Sequence, residues 1–331
     1  MSRNDLVGDL EALFARSGPV TVSETTKSWL FMTPAQVFKL KKPVRDDLQD
    51  LTPLRARHNN TLTEIDLNRR LAPDLYLGAV RVGRMADGTL ALDQPKAETI
   101  DWLVKMRRLP ADRMLDAQIA GGVPQDCLAE SVDSLLPLLL EFYRTAPRTR
   151  LSAAELATIH EDQLAMAREV LLNPQFAEHH GRFKTVLDRL ASCLPALCGM
   201  LEKRVQAGAV VECHGDLRPE HICLAEPPLI YDCLEFNRTL RLSDPFSEAV
   251  FLGMECAILG ADWIGPRLIE AFRQELQPAP DAALLQFYQA CHATARARLC
   301  LAHLFVPRPR TPEKWKPLAL RYLAVAERSL A

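Results

Sequence analysis

The chain has 331 residues, 48% of them hydrophobic and 25% charged, with a formal net charge of −2. That is ample apolar material for two domain-sized units or two lobes, and it argues against a disordered chain. There is no basic surplus of the kind a dedicated nucleic-acid binder shows, and no uncharged apolar run long enough to span a membrane.

Residues 1–20 carry Asp5, Asp9 and Glu11 among apolar positions, which predicts an amphipathic helix and not a signal peptide. Val20–Val22, Trp29–Met32 and Val37–Lys42 are short β-prone runs, and the turn Thr33–Gln36 joins the last two as a hairpin. Arg57–Leu71 reads as a helix. Leu75–Val82 and Thr99–Met106 read as further strands, separated by a turn at Asp87-Gly88. After Pro110 the pattern turns helical. Ser152 and Glu155 form a capping box that opens a helix to about Leu172, and a second long helix runs from Phe176 to Val205 with Gly208 near its end. One β-prone island, Val210–Phe236, interrupts the helices.

Mostly β, then a connector, then mostly α predicts an α+β protein of two unlike lobes. The expected division is 1–104, a hinge at 105–110, and 111–331 with a hairpin at 210–236 inside the helical part. A ligand is expected in the cleft between lobes. Nine cysteines lie between Cys127 and Cys300 without a CxxC pair, so they read as small buried residues in a reducing compartment, and a cytoplasmic location is expected.

The island reads VVECHGDLRPEHICLAEPPLIYDCLEFN. A turn at AEPP would set His221 opposite Asp232, close enough for one divalent cation to bridge them, with Asp216 just ahead of the first strand. Carboxylates held so near one another call for a compensating cation, and a metal–phosphate complex supplies one. This is the logic of phosphoryl transfer, in which the protein positions groups and neutralises charge.

HGDLRPEH resembles the catalytic loop of the protein-kinase-like superfamily, in the version found in aminoglycoside-phosphotransferase-like proteins, and LIYDCLEFN resembles the strand bearing that superfamily's second metal-binding Asp. The phrases KLKKPV, LNRRLAPDLYLG, VKMRRLP and DCLEFN are similar to those of a bacterial branch of it. The resemblance implies a protein-kinase-like fold with a small β-rich N-terminal lobe and a larger helical C-terminal lobe. It implies that Asp216 orients and deprotonates a hydroxyl, that Arg218 contacts the transferred phosphate, that Asp232 with or without His221 holds the metal, and that His214 braces the loop. Lys39, in Val37-Phe38-Lys39-Leu40, is the implied phosphate ligand and Glu64 its partner. Val37 shares the face of Lys39 and is placed to cover the adenine, and Met106 lies in the connector whose backbone meets its edge. Lys41 also shares that face, so the choice between the two lysines stays open.

Two departures stand out. His221 occupies the place of the family's metal-binding Asn, and an imidazole suits manganese or zinc better than magnesium. No glycine lies between Gly18 and Gly78, so Thr25-Thr26-Lys27-Ser28 stands in for a Gly-rich phosphate loop, with Ser28 among its phosphate-capping hydroxyls. The expected activity is transfer of the γ-phosphoryl group of ATP to a hydroxyl of a small molecule, assisted by Mg2+ or Mn2+, with no nucleic-acid or membrane partner. The alternatives are a nucleotide-binding pseudokinase or sensor, which His221 favours, and a metal-dependent oxygenase or hydrolase using His214, Asp216 and His221. Glu235 reads as a surface or capping residue, Asp244 as a helix N-cap, and the basic stretches around Arg296, Arg298 and Pro307–Arg310 as solvated faces.

Overall fold

The computed structural model describes residues 3–46, 48–149, 151–306, 309 and 311–331. The basic stretch Pro307–Arg310 therefore falls outside the described residues except for Pro309.

The chain opens with α1 (Arg3–Ala15), then β1 (Thr21–Glu24), β2 (Ser28–Met32) and β3 (Gln36–Lys41). A small hairpin, β4 (Arg45–Asp46) and β5 (Gln49–Asp50), leads to α2 (Leu54–Asn68). The strands β6 (Tyr76–Arg84), β7 (Leu90–Leu92) and β8 (Glu98–Arg107) follow. Six strands form one antiparallel sheet in the order β1-β2-β3-β8-β6-β7. The Thr33 hydroxyl closes the β2–β3 turn by accepting the Gln36 N–H at 3.0 Å. Alternation along β3 sorts its residues by face. Phe38 and Leu40 pack with Leu6, Leu10 and Phe14 of α1. Val37 joins a second cluster with Ile65, Tyr76, Val104 and Met106.

The buried stripe of α2 is mostly polar: Arg57, Thr61, Glu64, Ile65 and Asn68 recur at helical spacing. Buried polar groups must find partners. Arg57 Nε meets both oxygens of Asp101 on β8 at 3.1 Å, and its Nη1 donates to the carbonyls of Leu51 and Thr52. Asn68 donates to the Glu64 carbonyl at 2.8 Å and accepts the Cys233 N–H at 2.8 Å.

The helical part begins with α3 (Leu115–Ala120), α4 (Gln125–Thr145), α5 (Ala153–Leu171) and α6 (His180–Gln206). The capping box at Ser152 is formed, with Glu155 bonding back to the Ser152 N–H at 2.8 Å. The island that reads as a long hairpin instead holds three two-residue strands in irregular backbone, β9 (Val211–Glu212), β10 (Ile222–Cys223) and β11 (Leu229–Ile230), and β9 pairs with β12 (Leu242–Ser243) beyond it. Four helices complete the chain: α7 (Pro245–Leu259), α8 (Ile264–Glu275), α9 (Ala282–Ala302) and α10 (Pro312–Ser329). Asp244 caps α7 by accepting the Phe246 N–H, and Arg204 holds the same carboxylate at 2.6 and 3.0 Å.

The described residues fall into two compact units. One holds residues 3–117 with Glu220–Arg238, and the other holds Gln118–Pro219 with Thr239–Ala331. The island expected to stay together at 210–236 is thus shared between them, with Pro219 and Glu220 at the division. The core of the second unit is built by α5, α6, α7, α9 and α10. No disulfide joins any of the nine cysteines, and among the described residues no helix is long and apolar enough to cross a membrane.

Candidate functional site

In the first unit the face of β3 opposite α1 carries Lys39 and Lys41, and both reach Glu64 on α2. Lys39 Nζ lies 2.9 Å from Glu64 Oε1 and 3.0 Å from Asp232 Oδ1. Lys41 Nζ donates to Glu64 Oε2 and lies 2.7 Å from Glu235 Oε1. The charges alternate along one ladder: Asp232, Lys39, Glu64, Lys41, Glu235. Glu64 and the two lysines with Glu235 form a balanced core of two cations and two anions. Asp232 is the odd carboxylate, and its side chain is the most exposed of the five at 42%, against 1% for Glu64 and 2% for Lys41. Both lysines are therefore built into the site, and their division of labour follows from geometry. Lys39 faces the odd acid, and Lys41 the buried end.

The electrostatics agree with the contacts. Burial works against the Lys39 charge, but Asp232, Glu64 and Glu235 outweigh it and hold its ammonium well above the usual lysine range. Burial likewise opposes the Asp232 charge, yet Lys39, then His221, hold its carboxyl well below the usual carboxylate range. Glu235 is lowered too, with Lys41 and then Lys39 overcoming its burial. Glu235 is consequently neither a solvated residue nor a helix cap, but the far anchor of the ladder.

Asp232 has φ of +62°, a left-handed conformation uncommon outside glycine. Such strain persists where the surroundings over-determine it. The Asp232 N–H donates to the Tyr76 hydroxyl at 3.4 Å, and the next N–H, of Cys233, is held by Asn68. Asn68 lies one helical turn beyond Glu64, so α2 positions both the acid that grips the lysines and the backbone that presents Asp232.

The hairpin register differs by one from the expectation. Ile222 faces Ile230 and Cys223 faces Leu229, all four buried, so His221 aligns with Tyr231 instead of Asp232. The Tyr231 N–H donates to the His221 carbonyl at 3.0 Å. Apolar pairing sets the register, because both strands bury these residues. The left-handed step at Asp232 still turns its carboxylate towards the imidazole, and His221 Nε2 lies 3.5 Å from Asp232 Oδ2.

That separation suits two donors sharing one cation at about 2.1 Å each. Among the described residues no three His, Cys, Asp or Glu side chains are grouped to hold a metal. A hard cation held through Asp232 would take its remaining ligands from phosphate oxygens and water.

Of the other nucleotide-binding candidates, Val37 and Met106 lie opposite one another across β3 and β8 and pack in the same apolar cluster. Strand β8 continues to Arg107, so Met106 is still in the ladder between β3 and β6. Ser28 is buried opposite Lys41, and its N–H donates to the Thr25 hydroxyl at 3.0 Å, tightening the β1–β2 turn.

The second unit carries His214, Asp216 and Arg218. Buried Glu248 on α7 organises their loop. It accepts the His214 N–H at 3.0 Å, the Gly215 N–H, and the Tyr143 hydroxyl at 2.9 Å. Gly215 has φ of +86°, which a glycine adopts without strain. His214 is buried, and its Nδ1 accepts the Asp216 N–H at 3.3 Å. Arg218 Nε lies 3.0 Å from Asp216 Oδ1. The sequence reading missed Glu248. The signal available was the acid one turn after the N-cap Asp244, in an otherwise apolar stretch. The reading of Arg296 as a solvated residue is also corrected. Its side chain is 17% exposed and pairs with Glu255 at 3.1 Å, because α7 is buried nearly all round and its acids require partners.

No protein-family model matches the chain. Uncharacterised proteins of Mycobacterium tuberculosis and Mycobacterium bovis are 26% identical over 322 residues, covering 94% of this chain and 60% of theirs. The chain thus spans about 60% of the length of those relatives. A choline/ethanolamine kinase family protein from Mesorhizobium loti matches with a TM-score of 0.56 at 13% identity, covering 100% of this chain and 98% of its own. Choline kinase LicA from Streptococcus pneumoniae matches at 0.54 and 14%, covering 98% and 99%. A thermostable mutant of aminoglycoside phosphotransferase APH(4)-Ia, in a ternary complex with ADP and hygromycin B, matches at 0.53 and 10%, covering 97% and 98%. The fold is protein-kinase-like. In the first unit the antiparallel sheet supplies the two lysines of the ladder, α2 supplies Glu64, and the segment after β11 supplies Asp232 and Glu235; the HGD loop lies in the second unit.

Proposed function

We propose that the protein transfers the γ-phosphoryl group of ATP to a hydroxyl of a small molecule. The observation that carries this reading is Lys39 bridging Glu64 and Asp232, with the unbalanced carboxylate exposed. Lys39, kept charged by its neighbours, binds nucleotide phosphates while Glu64 fixes its position. Asp232, with His221 beside it, holds Mg2+ or Mn2+, which neutralises phosphate charge when bound. Val37 and Met106 offer an apolar surface to the adenine, and the Thr25–Ser28 turn takes the place of a Gly-rich loop. Asp216, fixed through Glu248 and His214, accepts the acceptor's hydroxyl proton as the acceptor oxygen bonds to the γ-phosphorus. The bond from that phosphorus to the β,γ-bridging oxygen breaks and ADP leaves. Arg218 stabilises charge on the transferred group. The similar fold seen with ADP and hygromycin B supports a nucleotide and a small hydroxylated acceptor as the ligand classes.

The test is ATP consumption over a panel of small hydroxylated metabolites, with Mg2+ and Mn2+ in parallel. Asp216→Asn should abolish transfer and leave calorimetric ATP affinity largely intact. Equal transfer rates in variant and parent would remove Asp216 from the mechanism. His221 supports a second reading, a nucleotide sensor, since the imidazole beside Asp232 is a softer ligand than magnesium favours. Tight ATP binding with no turnover under either metal would favour the sensor.

A further inference from the structure

Asp232 owes its left-handed conformation to the two peptide planes that flank it. Peptide units are planar, and φ and ψ are the rotations of the planes on either side of a Cα, so holding both planes fixes both angles. The plane before Asp232 carries the Asp232 N–H, which the Tyr76 hydroxyl accepts at 3.4 Å. The plane after it carries the Cys233 N–H, which Asn68 Oδ1 accepts at 2.8 Å. The two acceptors come from different elements, β6 and α2, and are braced to one another. Arg69, next to Asn68, donates Nε and Nη2 to the Tyr76 carbonyl at 3.1 and 2.8 Å. All of these residues belong to the first unit.

Tyr76 is 2% exposed, and its ring packs in one apolar cluster with Ile65, Leu75, Val104 and Met106. A phenylalanine would fill that place as well. What the phenol adds is its oxygen, and among the described residues the one hydrogen bond of that oxygen is to the Asp232 N–H. Burying a hydroxyl costs free energy unless it is hydrogen-bonded, so packing alone does not account for a tyrosine here. The strand is shaped at this point too. Tyr76 pairs with Met106 and Gly78 with Lys105, so Leu77 is an extra residue in β6, and such a bulge re-aims the side chains beside it. A separation of 3.4 Å is long for N–H···O, and hydrogen bonds of an active site commonly tighten when the ligand arrives.

We propose that Tyr76 is a positioning residue for Asp232: its hydroxyl, together with Asn68, clamps the left-handed turn that presents the Asp232 carboxylate to a divalent cation bound with nucleotide phosphate. This rests on the phosphotransfer reading and adds a residue to its metal site. The experiment is calorimetric binding of ADP to the full chain with and without Mn2+, so that no turnover intervenes. The parent should bind ADP more tightly when Mn2+ is present. Tyr76→Phe should lose about tenfold of that gain, the scale of one hydrogen bond, while metal-free ADP affinity, which falls to Lys39 and Glu64, stays within about twofold. Ile65→Val trims the same apolar cluster and leaves the hydroxyl in place. It should lower the melting temperature and keep the parent's Mn2+ gain. A phenol that merely fills the core gives a different pattern, with ADP affinity falling equally with and without Mn2+ in Tyr76→Phe, or with Ile65→Val losing as much of the Mn2+ gain. Either pattern overturns the proposal, as does a Tyr76→Phe chain that keeps the full Mn2+ gain. A parent whose ADP affinity is indifferent to Mn2+ overturns the metal-assisted reading itself, and the role of Tyr76 with it.

Discussion

Glu64 and Glu248 are both buried carboxylates, one in each unit, and they are satisfied in opposite ways. Glu64 is gripped by two ammonium groups on flexible stems, Lys39 and Lys41. Glu248 is gripped by two backbone N–H groups and a phenol. The first arrangement can redistribute charge, because a lysine can exchange one acid for a phosphate and still keep Glu64. The second cannot move without moving the loop it holds. Where a site must accept and release a charged ligand, paired side chains serve. Where it must present one side chain at a fixed place, a carboxylate bound to backbone serves.

The harshest way to break this comparison is to remove the acid between the lysines. Glu64→Leu leaves two buried ammonium groups with only Asp232 and Glu235, and breaking a buried ionic network by removing one partner costs about 3–5 kcal/mol. Urea denaturation should show that loss, and calorimetry should show ATP binding gone. A loss below about 1 kcal/mol, within the range of an exposed ion pair, would mean that the ladder is not a buried network.

Acid should separate the two units. In the helical unit His160 packs by Phe287 and Tyr288, and His292 stacks on Phe251 and bonds Ser247 at 2.8 Å. Burial lowers both imidazoles to about 4, from an ordinary 6.5. The unfolded chain therefore takes up these protons first, so stability is full above about pH 6.5 and falls as pH drops towards 4. Each imidazole contributes up to about 3 kcal/mol to that fall. In the ladder, Asp232 and Glu235 are lowered, so their contribution persists above the ordinary carboxylate range and is lost only as pH falls below it. Hydrogen exchange at pH 7.5, 5 and 3.5 should show α7 and α9 loosening before the β3–α2 contact does. Simultaneous loss would show that the two histidines do not govern the helical unit.

Much of this was legible from the residues alone. The pattern from Val37 to Lys41 located a strand with two lysines on one face, and the helix carrying Glu64 was placed within a turn of where it lies. Local rules were enough for the Ser152 capping box and the Asp244 N-cap. What escaped was set by contacts distant in sequence. Lys41 finds Glu235 at a separation of 194 residues, and no short-range pattern marks that pair. The register of the Ile222–Ile230 hairpin followed burial on both strands, where a turn-centred count is off by one. Asn68 and Glu248 escaped because each acts on backbone N–H groups, and a sequence carries no mark of which N–H is left over by a loop. Both lie on the same helix as a residue that was identified, one turn from Glu64 and one turn from Asp244. Scanning one turn either way from an identified polar residue on a buried helix face would have found them.

The finest test of the comparison lies at Glu248. Glu248→Gln keeps size and one carbonyl oxygen, so either the His214 or the Gly215 N–H stays satisfied. The other then faces the amide NH2, donor against donor. An unsatisfied buried donor costs about 1–3 kcal/mol, and the low end applies where the loop can shift to relieve it. The shift is the point, because Asp216 is bound to His214 through its own N–H. If Glu248 works by fixing that loop, the variant should lose kcat for transfer well beyond its loss of stability, with nucleotide affinity unchanged. If it merely fills a buried position, kcat and stability should fall together. The corresponding Glu64→Gln variant should behave the other way round, with nucleotide affinity falling most, because its partners are the lysines themselves.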